Sequence, residues 1–239
     1  MSNHLSGRSF DKLRMTGFGE WGGDGATLDG IMGIRVKICG ITNREDALAA
    51  IEAGADALGF ILYERSKRFI PMERAVAIAE GLPPFVQTVA VTVDATREFS
   101  NLGWRKQLKT FGVAQLHGHE SPVHVRAVSK YLPVIKALPA DQAGAIEPEA
   151  YAVSAFLLDT PTSEYGGTGR TFDWELAVAF KQRIGQPLIL SGGLNPENVA
   201  KAIEAVHPYA IDVSSGVESS PGKKDHAKVR DFIQICKRF

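Results

Sequence analysis

The chain has 239 residues, 44% hydrophobic and 23% charged, a composition typical of a soluble globular protein with a sizeable core. Its 27 basic residues equal its 27 acidic ones, so no overall field draws it to nucleic acid or to an anionic membrane. No apolar run approaches the length of a membrane span, and two distant cysteines, Cys39 and Cys236, fit neither a disulfide framework nor a metal site. The expected compartment is therefore a reducing cytoplasm.

Residues 1–33 carry many glycines, show no sustained helical or strand period and lack the apolar region of a secretory signal. They are expected to form a disordered or non-native extension, with Met32 as an alternative start just before the first strand. Residues 34–239 show no linker or repeat and are expected to form one domain.

From residue 35, short apolar runs alternate with amphipathic stretches. Strands are predicted over 35–41, 57–62, 87–93, 113–118, 133–138, 155–160, 187–193 and 210–216. Most are rich in Val, Ile, Leu and Phe with little alternation, as strands buried on both faces should be. Helices are predicted over 43–54, with acids in the first turn and Gly54 as a stop, and over 71–82, opened by Pro71. A third is predicted over 195–206 with Asn195 as N-cap, and a last over 224–239, whose Val229, Phe232, Ile233 and Cys236 share a face. Cys236 thus reads as a core thiol. Eight strands alternating with helix-like stretches over about 205 residues match a single-domain (β/α)8 barrel, the TIM-barrel fold. The competing fold, an open doubly wound sheet, would place G-x-G-x-x-G after the first strand, where none stands.

In a (β/α)8 barrel the chemistry sits at the C-terminal ends of the strands. Those ends hold Cys39, His117, Asp159, Ser191–Leu194 and Asp212–Glu218. Gly192 and Gly193 after the seventh strand, with Ser214, Ser215 and Gly216 after the eighth, are candidates for a phosphate cradle built from backbone amides and hydroxyls. Either stretch alone is an ordinary turn; two at consecutive strand ends favour an anion site. Asp159 follows four apolar residues, so its carboxylate must be paired, partly solvated or protonated. The glycine-rich loop 161–171 has the composition of a mobile lid. Arg65, Lys67 and Arg68 share one loop; at least two of them should be solvated, while one arginine there can reach the mouth and fork a carboxylate. His117 reads equally as a structural residue or a ligand contact.

The stretches KICGIT, GADALGFIL, SKRFI, QLHG, LLDT, EYGGTGRTFDW, LILSGGLNPENV and IDVSSGVESSPGKKD occur in this order. Together they resemble the phosphoribosylanthranilate isomerase family of tryptophan biosynthesis. The likeness runs over roughly residues 34–239. It implies an Amadori rearrangement, an aldose–ketose isomerisation of N-(5-phosphoribosyl)anthranilate to 1-(2-carboxyphenylamino)-1-deoxyribulose 5-phosphate, with no metal or organic cofactor. By that resemblance Cys39 is the general base, Asp159 the general acid, and Arg68 the partner of the anthranilate carboxylate. The glycine and serine loops align with the phosphate site, and His117 stands beside them as a candidate substrate contact. The implied partner is a small phosphorylated molecule, with no nucleic acid or membrane, and the oligomer is a monomer or homodimer. Asp94 departs from the family pattern in the third loop. A different phosphosugar barrel of the indole-glycerol-phosphate synthase type would need lysines at strand ends, whereas Lys37 and Lys136 lie within strand bodies. A non-catalytic binding protein would have no need of Cys39 and Asp159.

Overall fold

The computed structural model describes residues 33–161 and 171–239. The extension expected over residues 1–33 lies outside them but for Gly33, and so does residue range 162–170 of the predicted lid.

Eight parallel strands close into a barrel: β1 (Arg35–Cys39), β2 (Ala57–Ile61), β3 (Gln87–Thr92), β4 (Val113–Leu116), β5 (Val134–Pro139), β6 (Ala155–Asp159), β7 (Leu188–Leu190) and β8 (Ala210–Val213). β8 pairs back onto β1, with Lys37 opposite Asp212. All eight predicted strands form, and most stop earlier than predicted. In the fourth, seventh and eighth runs the closing histidine, serine and glycine residues leave the sheet as loop, which frees them for a site.

Alternation along each strand sorts side chains into two layers. Val36 and Ile38 face the helices, while Cys39, Val89, Val91, Ile135, Ala137, Leu157, Ile189 and Ala210 pack inside the barrel. Both faces are apolar, which is why the strands carry so little period-two signal.

The helices are α1 (Arg44–Glu52), α2 (Met72–Glu80), α3 (Thr96–Ser100), α4 (Leu102–Leu108), α5 (Pro122–Val128), α6 (Glu175–Lys181), α7 (Val199–Val206) and α8 (His226–Cys236). Asn43 caps α1 by accepting from the Asp46 amide. α7 starts four residues later than predicted. Asn195 is not its N-cap; the Asn195 side chain accepts from the Glu197 and Asn198 amides and so stabilises a turn ahead of the helix. After β5 two short 3₁₀ turns, 143–145 and 148–150, replace a helix. Cys236 is buried on α8, and burial pushes its thiol up to about 12, so it is an inert core residue.

A two-stranded antiparallel hairpin, β9 (Glu218–Ser220) and β10 (Lys223–Lys224), follows β8 and was not anticipated from the sequence. Asp46, 3% exposed, ties it to α1 and α8. Its carboxylate accepts from the Lys224 amide at 2.9 Å, from Asn43 Nδ2 at 2.8 Å and pairs with His226 Nε2 at 2.8 Å. Burial works against the Asp46 charge, but these bonds outweigh it and hold the carboxyl below its usual value. The folded pKa lies below the unfolded one, so this stabilisation is complete above about pH 4 and drains away as pH falls through the folded value. Asp46→Ala is expected to cost about 2 kcal/mol at pH 7, because it strands the buried Lys224 amide and two partly buried donors. Urea unfolding of both proteins checks this, and the gap between them should narrow at pH 3.

Candidate active site

The strand ends form one mouth. A single cavity there is lined by Cys39, Arg68, His117, Asp159, Gly192, Gly193, Ser214 and Ser215. Eight of the nine residues singled out from the sequence therefore meet. The ninth, Gly216, does not line the cavity. A Cβ on Gly216 would fall 1.9 Å from the Leu194 carbonyl oxygen, so this glycine lets the loops after β7 and β8 pack against each other.

Those two loops lie between β6 and β1, and hence between Asp159 and Cys39. Gly192 adopts φ +91°, and a Cβ there would stand 2.3 Å from Thr160 Oγ1 and 3.0 Å from Asp159 Oδ1. Only glycine fits both the backbone and the space. Among the described residues, the buried Ser214 hydroxyl has no hydrogen-bond partner. A buried hydroxyl facing a cavity in this state has capacity for a ligand oxygen.

Asp159 ends β6, with its side chain 15% exposed. Oδ1 accepts from the Thr160 amide at 2.7 Å, and Oδ2 lies 3.3 Å from His117 Nε2. The carboxyl is thus both paired and partly solvated, two of the states its apolar strand required. Gln115, fully buried inside the barrel, places Nε2 2.9 Å from His117 Nδ1. With that amide donating, the ring carries its proton on Nε2 and turns it toward Asp159. The sequence left His117 open between structural residue and ligand contact; the structure makes it the neighbour of the carboxyl.

Arg65 and Lys67 are exposed, and Arg68 alone of the three is buried. Glu218 grips the Nε–Nη2 edge of its guanidinium at 2.8–3.0 Å. Lys224, itself buried, reaches the same carboxylate at 2.8 Å. A second carboxylate must therefore approach Arg68 from the Nη1 side, in an orientation that Glu218 holds. The sequence gives no sign of this pair, because Arg68 and Glu218 lie 150 residues apart and meet only where the loop after β8 turns back across the mouth.

Two lysines are accounted for by buried partners. Lys136 bonds Glu120 at 2.9 Å and the carbonyls of Leu116, Gly118 and Ala137, a fastening of the β4–β5 loops. Lys37 bonds Asp212 at 2.7 Å. This removes the lysine pattern that the synthase-type reading required. Asp94 takes φ +48° and accepts from the His119 amide, a local turn away from the mouth cavity. Among the described residues there is no cluster of side chains suited to a metal ion, and no helix is long and apolar enough to cross a membrane.

The family model for N-(5'-phosphoribosyl)anthranilate isomerase matches residues 36–235. An N-(5'-phosphoribosyl)anthranilate isomerase from Geobacter metallireducens is 50% identical over 206 residues, covering 85% of this chain and 99% of its own. The crystal structure of phosphoribosyl anthranilate isomerase from Thermotoga maritima superposes with a TM-score of 0.77 at 46% identity, over 86% of this chain and all of that one. A phosphoribosyl anthranilate isomerase in complex with reduced 1-(o-carboxyphenylamino)-1-deoxyribulose 5-phosphate gives 0.74 at 43% identity, again over 86% of this chain and all of the other.

Proposed function

The chain belongs to the N-(5'-phosphoribosyl)anthranilate isomerase family of tryptophan biosynthesis, and from that premise we propose how its own side chains carry the Amadori rearrangement. Asp159 donates a proton to the ribose ring oxygen. The C1–O bond breaks as the anilino nitrogen lone pair forms the C1=N iminium. Cys39, on the other side of the two anion-binding loops, takes the proton from C2, and that electron pair forms the C1=C2 enolamine. Tautomerisation to the ketone moves one proton off the C2 hydroxyl and one onto C1, so the enzyme ends in its starting protonation state. The oxidation at C2 is matched by reduction at C1 within one molecule, so no external oxidant enters the balance.

The observation that carries this reading is the joint placement of the Asp159 carboxyl and the Cys39 thiol in a single cavity, with glycine and serine loops between them. One acid and one base suffice for the two proton transfers. The phosphate is assigned to Gly192, Gly193, Ser214 and Ser215. Gly216 acts by keeping those loops in register. Residues 34–239 are assigned as the catalytic unit, with no part for residues 1–33.

The test is turnover of freshly generated phosphoribosylanthranilate, followed by its fluorescence; absence of turnover by the full chain would overturn the proposal. Arg68 is assigned to the anthranilate carboxylate through its Nη1 side. Arg68→Gln is expected to raise KM roughly 10- to 100-fold, the value of a charge-assisted hydrogen bond, with a smaller effect on kcat. A KM left unchanged would remove Arg68 from the binding site.

A further inference from the structure

A buried thiol is a poor base, and the surroundings of Cys39 state the problem and its remedy. Burial holds the thiol above its ordinary value; Lys37 is the largest opposing influence, and Asp212 adds to the burial effect. The barrel register brings these groups together, with Lys37 across from Asp212 on β8 and Cys39 across from Gly59 on β2. Lys37 and Cys39, two residues apart on one strand, point into the barrel in successive layers. A Cβ on Gly59 would stand 2.7 Å from Cys39 Sγ and 3.1 Å from Lys37 Nζ, so the missing side chain leaves room for the ammonium beside the sulfur. Lys37 is 3% exposed. Burial disfavours its charge, but Asp212, at 2.7 Å, and then Cys39 outweigh burial and keep it protonated. The second Asp212 oxygen accepts from Ser191 Oγ at 3.3 Å.

We propose that Lys37 is the positioning residue that makes Cys39 a competent base, its ammonium, anchored by Asp212, serving as the counter-charge of the thiolate. This rests on the assignment of Cys39 as the base. The thiol releases its proton to water at the mouth, the ammonium stabilises the sulfur anion, and the thiolate then takes the C2 proton; Lys37 neither gains nor loses a proton. Other charged groups face the same sulfur. Asp212 does so from β8 and Lys224 from the β9–β10 hairpin, while Arg68, His117 and Asp159 share the mouth from the loops and ends of β2, β4 and β6. Of the cations, Lys37 acts most strongly on the thiol.

The experiment measures the rate of Cys39 alkylation by iodoacetamide, and kcat, both against pH, in the full chain. Cys236 stays silent because it packs in the core with its thiol near 12, whereas Cys39, though buried, lines the mouth cavity. Lys37→Gln keeps a donor for Asp212 and removes the charge. It is expected to slow alkylation at pH 7 about tenfold or more, to move its midpoint to higher pH, and to lower kcat by a similar factor that recovers as pH rises. Lys37→Arg should retain the wild-type midpoint. Lys37→Gln/Asp212→Asn, which leaves no buried charge unpaired should the single variant fail to fold, should keep a midpoint above wild type but below that of Lys37→Gln, because Asp212 opposes the thiolate less than Lys37 favours it. An unchanged midpoint in both neutral variants would overturn the proposal. A midpoint that moves while the kcat profile does not would instead overturn the base assignment beneath it.

Discussion

Asp159→Asn is expected to lower kcat by about a thousandfold while leaving KM within a few-fold of wild type. The substitution is nearly isosteric. An amide oxygen at this position can still accept from the Thr160 amide, which bonds Asp159 Oδ1 at 2.7 Å, so the loop after β6 has no reason to move. What is lost is the carboxyl assigned as the acid, the one that β6 supplies to the mouth cavity among the described residues. Without it the ring oxygen leaves as an alkoxide. His117, 3.3 Å from Asp159 Oδ2, is oriented to donate to that carboxyl rather than to replace it. Steady-state turnover of fresh substrate, with circular dichroism to verify the fold, checks the prediction. A rate within tenfold of wild type would take the acid role away from Asp159.

Cys39→Ala is expected to reduce kcat by a similar factor, about a thousandfold, and Cys39→Ser to restore little of it. Serine keeps the size of the side chain, but its hydroxyl is far harder to ionise than a thiol. The residue is small and stands at the top of the barrel interior, next to Val89 and Val91, so truncation should cost only about 1 kcal/mol of stability. Loss of activity without loss of fold is therefore the expected result. Pretreatment of the wild type with iodoacetamide should reproduce it, and saturating substrate or product should protect. If the alanine variant kept near-wild-type rates, the base would have to be sought elsewhere in the mouth.

Much of the site was legible because strand ends break pattern. Cys39, His117 and Asp159 are polar residues closing apolar runs, and a barrel sends every such end to the same face. The two glycine- and serine-rich ends were legible as a pair for the same reason. The pairings made by Lys37, Asp212, Gln115 and Glu218 were not. Lys37 and Asp212 lie inside predicted strands, where an isolated charge in an apolar run gives no hint of its partner; only the closure of β8 onto β1 places them 2.7 Å apart. Gln115 was hidden in the same way, since its value lies in the ring of His117 two residues on. Glu218 needed the short hairpin, whose strands of three and two residues leave almost no periodic signal. The start of α7 differs from expectation because a local turn competes with the helix. Asn195 has the chemistry of an N-cap, and the structure spends it on the turn before α7. What single-sequence reading lacked was long-range pairing, and the buried charges depend on it most.

In the proposed mechanism Asp159 opens the ring and Cys39 then takes the C2 proton. The most direct measurement is the kinetic isotope effect on kcat with substrate deuterated at C2 of the ribose, compared among wild type, Cys39→Ser and Asp159→Asn. Crippling the base should make C2 proton removal rate-limiting, so the Cys39→Ser variant should show a primary effect larger than that of the wild type. Crippling the acid should make ring opening rate-limiting, so Asp159→Asn should show an effect near unity. The reverse pattern, or the same effect in both variants, would contradict the assignment of the two roles.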